Sequence, residues 1–191
     1  MERLVRIGVL RKNPTARYSV PSFIIPKKDG TVRFVSDFRK VNQILERAPF
    51  PTPRIKDLLE SLAGFQWVSA IDLNMGYYHI ELDPCAQEVC TIVFPWGKYS
   101  YNRLPMGISC APDIFQAEMS SLMEELEFVR VYLDDLLVIS KSTYEDHLQK
   151  LDKVLDKLIE AGLKVNLGKC TLAKTETEYL GYVINREGIK P

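Results

Sequence analysis

The sequence lacks the features of membrane-spanning and exported chains. No apolar run reaches the length of about 18 residues that a transmembrane helix requires. The first residues, Met-Glu-Arg-Leu-Val-Arg, contain no signal-peptide core. We therefore predict no transmembrane helix and no membrane partner.

Side chains that bind zinc are also scarce. The four cysteines show no paired ligand spacing, and the two histidines are too isolated to form a metal pair. We expect free thiols in a reducing compartment and no zinc site. The residues concerned are Cys85, Cys90, Cys110, Cys170, His79 and His147.

The net charge of the chain is zero, but the charges are distributed unevenly. Residues 1–56 contain 13 Lys and Arg against 4 Asp and Glu, a balance of +9 that residues 57–191 offset. A basic segment of this kind favours phosphate binding, because counterion release drives affinity for nucleic acids. A solvated charged surface explains the same composition, and both interpretations stay open at this point.

Apolar periodicity and turn residues predict mixed secondary structure on a chain long enough to bury a substantial core. The Asp-Gly pair at 29–30 predicts a hairpin turn with a basic tip. Helices are predicted at 1–10, at 52–64 with Thr52 as cap, at 112–126, and at 142–162 with a Ser142/Glu145 capping box. Strands and hairpins are predicted at 20–26, 32–38, 66–73, 91–101, 128–140, 163–165 and 178–184. This order indicates an α+β fold with helices on an antiparallel sheet.

Two adjacent aspartates occupy the centre of a long apolar run. The run reads Phe-Val-Arg-Val-Tyr-Leu-Asp-Asp-Leu-Leu-Val-Ile-Ser and contains Asp134 and Asp135. Strand-forming flanks around turn-forming aspartates predict a β-hairpin with both carboxylates at its turn. Because buried carboxylates are costly without partners, a divalent metal ion is the expected compensation.

A third carboxylate ends another apolar strand. Asp72 closes the run Trp-Val-Ser-Ala-Ile-Asp, and taken alone it is also explained as a strand-end turn residue. If this strand lies beside the aspartate hairpin, three carboxylates converge and repel one another unless cations compensate. Two Mg²⁺ ions, with Mn²⁺ as a substitute, suit such oxygen ligands and support in-line displacement at phosphorus.

Six segments, in order along the chain, resemble the motifs of reverse transcriptases. The Tyr132-Leu-Asp-Asp135 segment resembles the catalytic motif of that family. The residue sequence of the motifs as a whole is most similar to that of gypsy-type LTR retrotransposons. Met106 stands where vertebrate retroviral enzymes usually carry Gln, which favours the retrotransposon type. The other matching segments are 34–42, 69–79, 104–116, 162–170 and 178–182.

The resemblance implies the fingers and palm of a right-hand polymerase, with an antiparallel palm sheet packed on helices. Fingers are expected at about 1–65 and 85–105, interleaved with a palm at about 66–84 and 106–191. The thumb, connection and RNase H parts of the family are expected to lie outside this chain. The chain is expected to begin inside the first fingers helix.

The same resemblance assigns catalytic roles to individual residues. Asp72, Asp134 and Asp135 are implied to ligate two Mg²⁺ ions and to carry the chemistry. Lys169 is a candidate proton donor to the leaving pyrophosphate, with a solvated surface lysine as the alternative. A primer grip is implied at Tyr179, Leu180, Gly181 and Tyr182.

A nucleotide site is implied by the same family motifs. Tyr77, five residues after Asp72, stands at the steric-gate position that selects deoxynucleotides, and a plain core aromatic is its alternative. Lys27 and Arg33 would contact the triphosphate through charge-assisted hydrogen bonds, with Lys28 able to replace Lys27. The implied nucleotide-binding residues are Lys27, Arg33, Tyr77, Met106 and Gly107.

The leading functional hypothesis is an RNA-directed DNA polymerase domain of a retrotransposon. Its implied partners are an RNA or DNA template with primer, deoxynucleoside triphosphates, and the thumb and RNase H parts of a pol polyprotein. The implied location is the cytoplasm or a virus-like particle, with the nucleus as an alternative. A catalytically silent nucleic-acid-binding remnant, a truncated inactive copy and a protein-interaction remnant stay as alternative functions.

Overall fold

The computed structural model of the protein describes residues 1–26, 30, 32–60, 62 and 64–190, with Arg33 described by its backbone alone. Its helices are α1 Glu2–Arg6, α2 Arg39–Asn42, α3 Ile55–Glu60, α4 Pro84–Val89, α5 Ala111–Met123 and α6 Tyr144–Glu160. Its strands are β1 Leu10–Lys12, β2 Val20–Pro26, β3 Val32–Ser36, β4 Trp67–Asp72, β5 Thr91–Phe94, β6 Gly97–Tyr101, β7 Val129–Tyr132, β8 Asp135–Ser140, β9 Thr171–Lys174, β10 Glu176–Tyr179, β11 Tyr182–Asn185 and β12 Gly188–Lys190. Short 3₁₀ helices lie at Gly76–His79 and Leu167–Lys169.

The chain forms two compact units, each made of two segments. The first unit comprises Met1–Pro49 and Tyr77–Pro112, and the second comprises Phe50–Gly76 and Asp113–Pro191. These bounds differ from those expected for fingers and palm, because 50–65 lie in the second unit whereas 77–84 and 106–112 lie in the first. The assignment of fingers and palm stays a prediction.

A mixed sheet organises the first unit, in the order β1-β6-β5-β2-β3. Its two predicted hairpins, β2–β3 and β5–β6, are both antiparallel. The expected basic tip of the first hairpin, at 27–29, lies outside the described residues. Parallel pairing of Val20 with Ile92 joins the hairpins, and local sequence patterns carry no signal for such a contact.

An antiparallel sheet organises the second unit, in the order β7-β8-β4-β9. β8 is buried from Leu136 to Ser140, which explains why its sequence is a continuous apolar run. Helix α6 packs on β8 and β4. The predicted α+β class and the antiparallel sheet on helices are therefore confirmed.

A smaller antiparallel sheet, β10-β11-β12, also belongs to the second unit. Tyr179 and Ile184 of this sheet are buried in a core cluster with Leu137 of β8 and with leucines of α3. The predicted strands at 178–184 thus exist as two strands with a turn between them. Of the predicted strand at 163–165, an isolated bridge between Val165 and Leu73 is found.

Two predicted helix starts, those of α3 and α6, were wrong. Helix α3 begins at Ile55 rather than at the Thr52–Pro53 pair, and Thr52 Oγ1 instead donates to the Phe50 carbonyl at 3.5 Å. The cap of α6 is Thr143 rather than Ser142, since Thr143 Oγ1 accepts from the Asp146 N–H at 3.2 Å. Ser and Thr are both favourable N-caps, so the choice between these neighbours depends on where the chain enters the helix.

The predicted helix at 1–10 was too long. Helix α1 ends at Arg6, Gly8 takes a φ of 75°, and Leu10 starts strand β1. Glycine adopts this left-handed conformation without steric cost, which terminates the helix.

None of the described helices is both long and apolar enough to cross a membrane.

Candidate active site

The turn between β7 and β8 presents Asp134 and Asp135. Tyr132 pairs with Asp135 across the hairpin, which leaves Leu133 and Asp134 as the turn residues. Leu133 has a φ of 53°, a left-handed conformation that costs a residue with a Cβ about 1–2 kcal/mol. Contacts around the turn must therefore stabilise this conformation.

Strand β4 brings Asp72 opposite this hairpin. Asp72 and Asp135 are direct partners in the antiparallel register of β4 and β8. The Leu73 N–H donates to the Asp134 carbonyl at 3.2 Å. Side chains of opposed residues project on the same face of a sheet about 4.5–5.5 Å apart at Cβ. The structure thus brings the three aspartates together at one end of the sheet.

The electrostatics of the site follow from this convergence. Burial raises the pKa of the Asp135 carboxyl, and the charges of Asp134 and Asp72 raise it further. The ammonium of Lys169 opposes them and lowers that pKa. Negative charge is therefore concentrated where a cation would stabilise it.

Lys169 already supplies one cation to the site. Its Nζ donates to Asp72 Oδ2 at 3.1 Å, with side-chain exposures of 66% for Lys169 and 19% for Asp72. The backbone holds the segment in place, because the Asn166 N–H donates to the Asp72 carbonyl at 2.9 Å. The Asp72 N–H also points to Cys170 Sγ at 3.5 Å. Lys169 is hence an ion-pair partner of the site and not only a solvated surface lysine.

Gln116 of α5 supports the aspartate turn, and sequence reasoning did not assign it a role. Its fully buried side chain accepts from the Leu133 N–H at 2.7 Å and donates to the Val131 carbonyl at 3.3 Å. It also donates to Ser120 Oγ at 3.0 Å. The sequence did carry a signal for this role, namely a glutamine among the apolar positions of a helix. A buried amide requires hydrogen-bond partners, so such a residue indicates a structural contact.

His147 of α6 ties together the two strands that carry the aspartates. Its ring contacts Ser69 Oγ of β4 at 2.8 Å and Ser140 Oγ of β8 at 3.0 Å. Ser69 Oγ in turn accepts from the Ala173 N–H at 2.9 Å. Burial lowers the pKa of His147, and the nearby Lys150 lowers it further while Asp146 raises it. The sequence did not predict this network, because His147 has no other histidine or metal-ligand residue at a recognisable spacing.

The predicted primer-grip residues lie on the turn between β10 and β11. Leu180 and Gly181 have φ values of 51° and 82°, which match a tight two-residue hairpin turn. Tyr179 is buried, and its hydroxyl donates to the Asp135 carbonyl at 3.5 Å. Tyr182 is partly buried against the same core. The turn therefore contacts the strand that carries Asp135 through the Tyr179 side chain.

The nucleotide-binding predictions concern the first unit. Tyr77 is partly buried and packs against the core of that unit. Met106 is 55% exposed, and Gly107 has a φ of 99° with its carbonyl accepting from Asn42 Nδ2 at 2.8 Å. Met106 and Gly107 stay candidate residues of the nucleotide pocket.

Two predicted triphosphate contacts cannot be placed. Lys27, like its alternative Lys28, lies outside the described residues. Arg33 lies on β3, with its side chain outside the description. Their roles stay predictions.

The aspartates offer the oxygen donors that Mg²⁺ prefers. Within the described residues, no group of three or more His, Cys, Asp or Glu side chains is already arranged to hold a metal ion. Asp72 Oδ2 instead contacts Lys169. The donor chemistry and the raised pKa of Asp135 fit divalent cations, whereas the side-chain arrangement is that of a lysine-compensated site.

Comparisons with known proteins place this arrangement in context. The chain is 33% identical over its whole length to the retrovirus-related Pol polyprotein of transposon 297 from Drosophila melanogaster, of which it covers 18%. It is 30% identical over its whole length to that of transposon gypsy from the same organism, of which it covers 19%. These relatives confirm the resemblance to gypsy-type elements, and the chain spans about a fifth of their length.

A comparison with solved structures agrees with the relationship to these polyproteins. The foamy viral protease-reverse transcriptase in complex with an RNA/DNA hybrid superposes with a TM-score of 0.92 at 30% identity, covering 99% of this chain and 25% of that chain. Residues 25–184 match the family described as reverse transcriptase (RNA-dependent DNA polymerase). The chain therefore belongs to the reverse transcriptase family.

Proposed function

We propose that this chain is the polymerising part of an RNA-directed DNA polymerase. It would add deoxynucleotides to a primer 3′-hydroxyl by phosphoryl transfer. One observation carries the proposal: Asp72 faces Asp135 across two paired strands, and Asp134 lies on the adjoining turn. Family membership supports the same reaction.

Asp72, Asp134 and Asp135 would hold the divalent cations, two Mg²⁺ or Mn²⁺ ions. When bound, these ions would activate the 3′-hydroxyl and neutralise charge on the leaving pyrophosphate. The carboxylates supply the negative charge that attracts the cations, and the backbone pairing of β4 with β8 fixes their spacing. The hydrogen bonds from Gln116 fix the turn that carries Asp134.

Lys169 would perform two tasks in this reaction. In the absence of metal its ammonium neutralises Asp72, as the 3.1 Å contact supports. On metal binding it would leave Asp72 and donate its Nζ proton to the pyrophosphate oxygen. Its exposed side chain has the freedom that this movement requires.

Substrate selection would fall to residues of the first unit. Tyr77 would exclude the ribose 2′-hydroxyl, while Met106 and Gly107 would line the nucleotide pocket. Lys27 and Arg33 would contact the triphosphate. The turn at Leu180 and Gly181 would support the primer.

The solved relatives suggest which nucleic acids this chain binds. Foamy viral enzymes were captured with an RNA/DNA hybrid and with double-stranded DNA. A hybrid of RNA template and DNA primer is accordingly the substrate that we propose here. The remainder of a pol polyprotein would be a covalent or non-covalent partner.

Primer extension on an RNA template with a DNA primer tests the proposal. We expect Asp134→Ala to abolish incorporation in Mg²⁺ and in Mn²⁺ while the thermal midpoint stays near that of the parent chain. The matched control is Asp156→Asn, an exposed aspartate on α6, which should retain full activity. Incorporation by Asp134→Ala at the parent rate would refute the proposal.

A silent nucleic-acid-binding domain is the second candidate function. Its support is the basic balance of +9 over residues 1–56, together with an aspartate site that a lysine already compensates. Salt-dependent binding of the hybrid without extension in either metal would favour this candidate.

A further inference from the structure

A cavity of about 720 Å³ lies in the first unit, formed by α1, β1 and the β5–β6 hairpin. Its lining combines an exposed indole with three cationic side chains. The residues that matter are Trp96, Arg3, Arg6 and Lys12. The three aspartates belong to the second unit and are not among the residues that line this cavity.

Trp96 lines the cavity and packs on a neighbouring ring although it is 60% exposed. It occupies the two-residue turn between Phe94 and Gly97, which pair across the hairpin. Its ring stacks on Phe94 with centroids 4.9 Å apart and an interplanar angle of 7°, and Phe94 stacks on Phe34 at 5.5 Å. A three-ring stack that ends in an exposed indole offers a fixed platform for another flat ring.

The charges around Trp96 are mainly positive, and the three cationic side chains are exposed. Arg3 and Arg6 are exposed residues three positions apart on α1, so they share a face of the helix. Lys12 is exposed on β1 and pairs in register with Tyr99, another lining residue. Within the described part of the chain, none of these three cations forms an ion pair, and Glu2 is the one acidic lining residue.

We infer that this cavity binds a segment of single-stranded nucleic acid, with a base stacked on Trp96 and phosphates on Arg3, Arg6 and Lys12. Stacking aromatics inside a basic groove are the common elements of single-strand recognition. An unpaired base exposes its ring faces, whereas a base inside a duplex stacks on its neighbours. The occupant is therefore single-stranded rather than duplex. The site is additional to the polymerising site that we propose.

Trp96 fluorescence tests the stacking directly. The chain contains two tryptophans, so Trp67→Phe leaves Trp96 as the sole reporter. Titration with a short unlabelled oligo(dT), without metal ions or nucleotides, should quench this emission. An absence of quenching at oligonucleotide concentrations that produce binding would overturn the inference. Equal quenching by a duplex of the same length would also overturn it.

Binding affinities of variants provide a second, independent measurement. Fluorescence anisotropy of labelled oligo(dT) should show that Trp96→Leu raises Kd about tenfold, the usual scale for losing one stacked base. Tyr18→Leu is the matched control, because Tyr18 is an exposed aromatic of the same unit outside the cavity lining. Equal affinities for the Trp96→Leu and Tyr18→Leu variants would contradict the proposed site.

The salt dependence isolates the phosphate contacts. Each phosphate contact on a single strand contributes about 0.7 to the slope of log affinity against log salt concentration. The triple variant Arg3→Gln/Arg6→Gln/Lys12→Gln should therefore lower this slope by about 2, whereas Arg17→Gln, elsewhere on the same unit, should change it little. An unchanged slope in the triple variant would overturn the inference.

Discussion

The side-chain oxygen of Gln116 lies 2.7 Å from the backbone nitrogen of Leu133 and accepts its hydrogen bond. Leu133 is the turn residue that precedes Asp134, and it adopts the left-handed conformation that leucine disfavours. The amide nitrogen of Gln116 donates to Val131 on the approaching strand. One buried amide therefore spans the strand and the turn that position the aspartates.

We predict that Gln116→Met slows incorporation about 10²-fold without weakening template-primer binding. Methionine fills the space but leaves the Leu133 N–H and the Val131 carbonyl without their partner. Small misplacements of reacting groups produce rate losses of this size, and unsatisfied buried groups lower the unfolding free energy by about 1–3 kcal/mol. Single-turnover kinetics and urea unfolding measure the two effects.

Gln149→Met is the control for this prediction, because Gln149 is an exposed glutamine on α6. It should leave both the rate and the unfolding free energy unchanged. A Gln116→Met chain that incorporates nucleotides at the parent rate would show that the turn holds its geometry without this amide.

Replacement of Lys169 should separate its two proposed tasks. Lys169→Gln removes the ion pair to Asp72, and exposed pairs contribute about 0–1 kcal/mol. The Mg²⁺ concentration for half-maximal rate should therefore fall by up to about fivefold. The maximal rate should fall about 10²-fold, because the proton donor is lost. Metal titrations of primer extension report both quantities.

Lys153→Gln, an exposed lysine on α6, is the matched variant for Lys169. It should alter neither the metal requirement nor the maximal rate. If Lys169→Gln keeps the parent rate at saturating Mg²⁺, the proton-donor role is wrong. That result would not contradict the ion pair between Lys169 and Asp72.

The buried His147 should make stability depend on pH. Burial and Lys150 lower its folded-state pKa below the ordinary value of 6.5. As the pH falls, the unfolded chain therefore binds the proton at a higher pH than the folded chain does. The contribution of His147 to the unfolding free energy is complete above pH 6.5 and decreases as the pH drops below that value. The loss is at most about 1.4 kcal/mol for each pH unit until the folded-state pKa is reached.

Urea unfolding between pH 7.5 and about pH 5 measures this dependence. His147→Gln should flatten the curve, since glutamine does not titrate. Parallel curves for His147→Gln and the parent chain would contradict this assignment.

Tyr77 should discriminate against ribonucleotides. Tyr77→Ala removes the ring proposed to exclude the 2′-hydroxyl, so the ratio of ribonucleotide to deoxynucleotide incorporation should rise at least about tenfold. Tyr77→Phe keeps the ring and should keep the parent ratio. Competing single-nucleotide incorporations measure the ratio. An unchanged ratio in Tyr77→Ala would favour the plain core aromatic.

Local chemistry made part of the fold predictable. The hairpin carrying Asp134 and Asp135 follows from strand-forming flanks around turn residues, and Gly162 ends α6 where a left-handed glycine is expected. Helix starts were less predictable, as Thr143 in place of Ser142 shows, because adjacent residues compete for the same cap. Strand β9 carries no apolar alternation and was missed.

The sequence by itself determined the aspartates, their strands and the family, because turn chemistry, strand periodicity and motif order are properties of neighbouring residues. Only the tertiary structure decided that Asp72 opposes Asp135, that Lys169 pairs with Asp72 and that Gln116 supports Leu133. These contacts join residues 17 to 97 positions apart. Such contacts depend on strand register and helix packing, which are set by burial across the whole unit and leave no local pattern.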